Sequence, residues 1–159
     1  MEIDATDENS VKEGVQKTVN HFGGLHGAIN CAGIGSAALT VDKRGRTHNS
    51  GIWDFVMKLN AYGVFYASAH AAAAIAKGEP DEDKQRGVII NVSSVAGIEG
   101  QKGQLAYSAS KGAVIGMTLP MARDLSRFGI RVMTICPGIV DTPLMAMANE
   151  KVRQGLLRQ

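Results

Sequence analysis

Tyr107 and Lys111 stand four positions apart in the segment Tyr107-Ser-Ala-Ser-Lys111. The apolar residues around them (Leu105, Ala109, Val114, Met117, Leu119) predict a helix, and residues four apart share one helix face. A lysine cation close to a phenol favours the phenolate over a neutral form whose unperturbed pKa is about 10. A tyrosine placed this way exchanges a proton with an alcohol or carbonyl oxygen near neutral pH. Ser94 closes the strand-like run Gly87-Val-Ile-Ile-Asn-Val-Ser-Ser94, which sets its hydroxyl beside the same oxygen. Its neighbour Ser93 alternates to the opposite face of that strand. Serine at a strand end with tyrosine and lysine on a helix implies oxidation or reduction at a C–O centre, with a separate hydride carrier. Tyr-x-x-x-Lys alone also occurs on solvated helices, so the elements around it decide the reading.

Those elements alternate. Residues 2–5 are a short strand end. Residues 10–22 form a helix with Val11, Val15, Val19 and Phe22 on one stripe, Ser10 as its cap and Gly23-Gly24 as its stop. Residues 25–31 are a buried strand, and 33–51 a polar, glycine-rich loop. Residues 52–77 read as one long helix, 78–86 as a charged turn, and 88–92 as a strand of the continuous apolar kind found in parallel sheets. A second long helix covers 105–128 and stops at Gly129. Another strand covers 130–136, and the tail 149–159 is amphipathic. Strands alternating with helices across short connections predict an α/β fold with a parallel, doubly wound, Rossmann-like sheet in a single domain.

Composition narrows the function classes. The 159 residues are 45% hydrophobic and 20% charged, with a formal net charge of +2. That balance gives one domain with a core and no case for a nucleic-acid partner. The one short basic cluster, Lys43-Arg-Gly-Arg46, reads as a solvated loop. Cys31 and Cys136 form no metal or redox spacing and read as small core residues. The four histidines (His21, His26, His48, His70) make no ligand motif, so no metal is expected. No apolar stretch is long enough to span a membrane. The acidic, polar first ten residues do not read as a signal peptide, which points to cytoplasm or mitochondrial matrix.

The ordered set Asn30-Cys-Ala-Gly33, Asn60, Ser94, Tyr107 with Lys111, and Pro137-Gly138 resembles the short-chain dehydrogenase/reductase family along nearly the whole chain. The resemblance implies an NAD-dependent oxidoreductase that interconverts a secondary alcohol and a ketone. Tyr107 would be the general acid/base, and Lys111 would favour its phenolate and hold the nicotinamide ribose. Ser94 would hydrogen-bond the substrate oxygen, and Asn60 would hold a water in the proton relay. Asp4 and Ala5 would meet the adenine, and Asn30, Cys31, Ala32 and Gly33 the adenosine ribose. Pro137, Gly138, Val140 and Thr142 would lie along the nicotinamide and its phosphate.

Three segments are similar to the branch of this family that oxidises 3-hydroxyacyl-CoA thioesters, some members of which accept hydroxysteroids. They are Glu79-Pro-Asp-Glu-Asp-Lys-Gln-Arg-Gly-Val-Ile-Ile-Asn91, the stretch from Ala106 to Pro120, and Arg131-Val-Met-Thr-Ile-Cys-Pro-Gly138. Cys136 departs from the alanine usual before that Pro-Gly. Family members form homo-oligomers through the two long helices.

The cofactor half is incomplete. Gly33-Ile-Gly35-Ser-Ala-Ala38 fits G-x-G-x-x-A after a strand, but the residues that follow carry no helical stripe, so it is not a dinucleotide turn. The family's glycine-rich opening and its NAD/NADP selector strand are absent, which leaves NADP open as the cofactor. In the family's strand order 3-2-1-4-5-6-7 the first strand here would lack its partner, and the next would show a bare edge. The expectation is therefore a partial domain over residues 1–159, lacking the first βαβ unit and the last strand. The alternative is a non-catalytic, truncated subunit that does not bind cofactor alone.

Overall fold

The structure, a computed structural model, describes residues 1–140. Three parallel strands form one sheet in the order β1 (Gly27–Asn30), β2 (Gly87–Val92), β3 (Ile130–Ile135). Ile29 pairs with Ile90, and Ile90 with Met133, so each row of side chains crosses the sheet on one face. Ile89 and Val132 on the other face meet Ala72 and Ile75, with Met121, Leu125 and Phe128 packed around them. Each such aliphatic side chain contributes about 1.5–3 kcal/mol when fully buried. The strands are joined by helices, as their continuous apolar sequences require of a parallel sheet.

α1 (Glu8–Phe22) starts at Asp7, whose side chain accepts from the Asn9 N–H, and ends at Gly23, whose φ of 79° is left-handed. The cap is thus Asp7 and not the expected Ser10; the Ser10 hydroxyl instead accepts from the Asp4 N–H. Residues 2–5 are not a strand, because no neighbouring strand is present to pair with them. They lead into a turn in which Asp4 Oδ1 accepts from both the Thr6 N–H and the Thr6 hydroxyl, at 2.8 Å each. These bonds hold the Asp4 carboxyl below its usual pKa. Val11 and Gly14 are buried, Gly14 beside the Ile3 side chain, whereas Phe22, expected on the same stripe, is 76% exposed at the helix end.

The expected single helix over 52–77 has an interruption. α2 (Ser50–Met57) runs into a π turn (Lys58–Tyr62) and then α3 (Gly63–Ile75). α4 (Leu105–Leu125) ends in a 3₁₀ turn (Ser126–Phe128) and stops at Gly129, as its sequence predicts. Gly129 has φ of 66°, and an added Cβ would run into the Lys84 carbonyl oxygen. The Arg86 N–H donates to the Gly129 carbonyl at 2.8 Å, so this stop fixes how β3 enters the sheet beside β2. Gly129→Ala is expected to cost about 2 kcal/mol or more, from left-handed strain together with the clash. Urea unfolding of the variant and parent checks it, and an unchanged midpoint would refute it.

The described helices pack on one face of the sheet. The opposite face carries Ile29, 67% exposed, with Met133 and Ile135, each 52% exposed. A doubly wound sheet has helices on both faces; the second layer is not among the described residues. β1 has one strand neighbour, which is the bare edge anticipated from sequence. The tail over 149–159 lies outside the described residues.

Candidate active site

The carboxyl ends of β1, β2 and β3 lie side by side, the place where parallel sheets bind ligands. After β2, Ser94 is extended and its Oγ accepts from the Ala96 N–H at 3.1 Å, opening a 3₁₀ turn (Val95–Gly97). Accepting leaves the Ser94 O–H free to donate elsewhere. An added Cβ on Gly97 would stand 2.9 Å from the Lys111 carbonyl carbon and 3.0 Å from the Gly112 nitrogen. The missing side chain lets the turn rest directly on α4, which holds Ser94 close to the helix that carries Tyr107 and Lys111. The Val95 N–H donates to the Pro137 carbonyl at 3.0 Å, so the segment after β3 is fastened beside Ser94.

Lys111 is 5% exposed, and its Nζ donates to the Val92 carbonyl at 2.9 Å. An ammonium has three N–H donors, and no second acceptor engages this one among the described residues. The Nζ lies 5.8 Å from the Tyr107 ring centroid. Ser93 does face away from Ser94, and it faces α4: its Oγ donates to the Lys111 carbonyl at 2.8 Å. It is an anchor of the helix.

Burial pushes the Lys111 ammonium below the ordinary lysine pKa, outweighing the opposing attraction of negative charge at Cys31 and Cys136. A lowered folded-state pKa means that, between it and the ordinary lysine value, the unfolded chain binds more protons than the native chain. Stability therefore rises with pH across that window. Parallel unfolding titrations of the parent and Lys111→Met at alkaline pH should show this rise in the parent alone. A fall there would overturn it.

Asn60 is fully buried in the π turn. Its Oδ1 accepts from the Ile34 N–H at 2.9 Å, and its Nδ2 donates to the Ile34 carbonyl at 2.9 Å and to the Ser110 Oγ at 3.1 Å. The side chain thereby joins the loop after β1 to α4. Gly33 lies against both groups: an added Cβ would be 3.2 Å from Asn60 Oδ1 and 3.5 Å from Lys111 Nζ. Asn30 turns inward, where its Nδ2 donates to Asn91 Oδ1 at 2.7 Å and Ser68 Oγ at 3.0 Å. Its side-chain amide is thus engaged in the interior.

Cys31 is exposed just past the end of β1, and Cys136 is half-buried past β3, so neither is the core residue expected from sequence. Asp4 and Ala5 lie apart from this cluster, in the turn that rests on the start of α3, where a Cβ on Gly63 would be 2.8 Å from the Ala5 carbonyl oxygen. Val140 is exposed at the end of the described chain, and Thr142 lies outside it. Gly97, Ser110 and the Val92 carbonyl support the site and were not singled out from sequence; only contacts across elements give them a role. Among the described residues no group of three His, Cys, Asp or Glu side chains is placed to hold a metal. No helix there is long and apolar enough to cross a membrane.

The residues fit a nicotinamide ribose: two unengaged ammonium donors on Lys111 lie beside the side-chain-free backbone of Gly33. A cradle for a pyrophosphate is not among the described residues.

The profile of the short chain dehydrogenase family matches residues 1–153. The chain is 47% identical over 157 residues to human 3-hydroxyacyl-CoA dehydrogenase type-2, covering 98% of this chain and 60% of that protein. It is 44% identical over 157 residues to the protein of that name from Drosophila melanogaster, covering 98% of this chain and 62% of the relative. It is 37% identical over 155 residues to the 3-oxoacyl-[acyl-carrier-protein] reductase of Thermotoga maritima, covering 98% and 58%. The crystal structure of 3-hydroxyacyl-CoA dehydrogenase type-2 from Mycobacterium avium superposes with a TM-score of 0.87 at 38% identity, covering 95% of this chain and 58% of that one. The chain thus spans about 60% of the length of the curated relatives it matches.

Proposed function

Because the chain belongs to the short chain dehydrogenase family, we propose that it is the catalytic part of an NAD-dependent oxidoreductase that interconverts a secondary alcohol and a ketone. The substrate class is 3-hydroxyacyl-CoA thioesters, with hydroxysteroids as further candidates. The observation that carries the reading is Lys111 Nζ at 5.8 Å from the Tyr107 ring, on a helix against which the turn opened by Ser94 packs through Gly97. The names of the most similar relatives support the thioester.

A bound nicotinamide supplies or accepts the hydride. In the reductive direction Tyr107 donates its phenolic proton to the ketone oxygen. Ser94 donates a hydrogen bond to the same oxygen and stabilises the charge that develops there. Lys111 places a cation by the resulting phenolate and holds ribose hydroxyls with its remaining donors. Asn60 keeps the loop after β1 in place and offers its backbone carbonyl to a relay water. Asp4 and Ala5 would border the adenine, and Cys31, Ala32, Gly33 and the Asn30 backbone the ribose next to it. Pro137, Gly138, Val140 and Thr142 would flank the nicotinamide. NADP stays open as the alternative.

A second copy of the chain is the proposed partner. The apolar groove of about 720 Å³ between α3 and α4, bordered by Phe65, Ala69, Ala73, Met117, Pro120 and Leu125, supports that contact. One observation favours a second reading, a subunit that associates but does not hold cofactor alone: no pyrophosphate cradle lies among the described residues. Titration of the folded 159-residue chain with NADH, followed by acetoacetyl-CoA, separates the two. Micromolar binding with consumption of NADH supports the enzyme, and no binding supports the associating subunit.

A further inference from the structure

Lys111 is held at both ends by consecutive residues of one strand end. Its Nζ donates to the Val92 carbonyl at 2.9 Å, and its own carbonyl accepts from the Ser93 Oγ at 2.8 Å. Ser94 follows at once, extended, and opens the 3₁₀ turn. That turn rests on the same carbonyl group, since a Cβ on Gly97 would stand 2.9 Å from the Lys111 carbonyl carbon. Ser93 is itself seated in the sheet: its N–H donates to the Ile135 carbonyl at 2.8 Å. At 4% exposure its side chain is too buried to meet a ligand.

α4 does not need this bond for its own stability as a helix. An interior helix carbonyl already accepts from the N–H four residues further on. Burying a hydroxyl also costs free energy that an apolar side chain would avoid. What the bond does, and alanine could not, is fix the level of α4 against the strand end at the residue that bears the ammonium. A lysine carries its charge on a flexible four-carbon stem. With the backbone pinned by Ser93 and the Nζ by Val92, few rotamers remain between them. The other N–H donors of the ammonium then leave it in set directions.

We propose that Ser93 is a positioning residue for the reaction: through the Lys111 carbonyl it keeps the ammonium and the Tyr107 ring in register with the Ser94 hydroxyl. The inference rests on the oxidoreductase reading above and deepens it. Tyr107 lies one turn before Lys111 on α4, with the Nζ 5.8 Å from its ring centroid. A shift of α4 along the strand end therefore moves acid/base and cation together, away from Ser94. The other ionisable groups that act on the ammonium are Cys31, past β1, and Cys136, past β3. Burial between these strand ends holds it below the ordinary lysine value, and a looser clamp, by admitting water, would move it back up.

The test compares the full 159-residue chain with Ser93→Ala, Ser93→Thr and Thr118→Val. Thr118 makes a comparable side-chain bond from α4 to β3, with the Thr134 hydroxyl, about two turns beyond Lys111. Ser93→Ala should lower kcat for NADH-dependent reduction of acetoacetyl-CoA about tenfold with KM little changed, the size of one net hydrogen bond lost from the frame of a transition state. Ser93→Thr keeps the hydroxyl and should restore most of the rate. Thr118→Val should lower the urea midpoint to a similar degree as Ser93→Ala and leave kcat alone. Carbon-13 NMR of lysine-labelled chain reads the ammonium without turnover, the Lys111 signal being assigned by its loss in Lys111→Met. That signal should titrate below the other lysines in the parent and in Thr118→Val, and move toward them in Ser93→Ala. A Lys111 signal unmoved in Ser93→Ala overturns the proposal, and so does an equal loss of kcat in Thr118→Val. If the signal moves as expected while the parent does not oxidise NADH, Ser93 still sets the lysine and the oxidoreductase reading falls.

Discussion

Tyr107→Phe is expected to lower kcat for NADH-dependent reduction of acetoacetyl-CoA by about a thousandfold while the chain stays folded. A positioned general acid contributes about 10²–10⁴ in rate, and here no other phenol lies on the face of α4 that holds Lys111. The substitution removes one oxygen. The Tyr107 hydroxyl makes no hydrogen bond among the described residues, so the fold loses no internal partner. KM should move little, because the lost interaction belongs to the transition state and not to substrate binding. Circular dichroism and the unfolding midpoint should match the parent. A variant that keeps more than about a tenth of the activity would remove Tyr107 from the proton transfer.

Asn60→Leu is expected to be the most destabilising single change near the site, at about 3 kcal/mol. The side chain has no exposure, and its amide satisfies the Ile34 N–H, the Ile34 carbonyl and the Ser110 hydroxyl. Leucine fills similar space but strands those groups in the interior, at about 1–3 kcal/mol for each one left without a partner. Local relaxation and water entry recover part of that cost. Because the bonds run to the loop after β1, nucleotide affinity should fall together with stability. Urea unfolding and NADH titration of the same preparation read both effects. A midpoint within experimental error of the parent would show that Asn60 does not hold the loop.

Much of this site can be read from the residues in order. Tyr107 and Lys111 face one way because a helix repeats every 3.6 residues, and the helix itself is announced by Leu105, Val114 and Met117. Gly23 and Gly129 mark helix stops because both adopt positive φ, which side chains disfavour. Val88, Ile89 and Ile90 announce a buried parallel strand. The interruption at Asn60 was not legible, since the flanking Leu59 and Ala61 suit an unbroken helix. It arises where the side chain meets Ile34, which is distant in the chain. Ser10 and Asp7 are both good caps locally, and the turn at Asp4 draws Ser10 away.

By itself the sequence determined the three paired strands, the parallel sense of the sheet, and which helix carries the proton-transfer pair. Local propensity and hydrophobic period set those features over a few residues at a time. Tertiary structure decided the rest. It made Asn60 a tie between two segments, turned Asn30 inward onto Ser68 and Asn91, and left Cys31 exposed beyond a strand end. It also paired Arg46 of the basic stretch with Asp42. The physical reason is that a polar side chain near a strand end or in a loop has several hydrogen-bond partners within reach. Which one it takes is fixed only when distant segments pack and exclude water from the others.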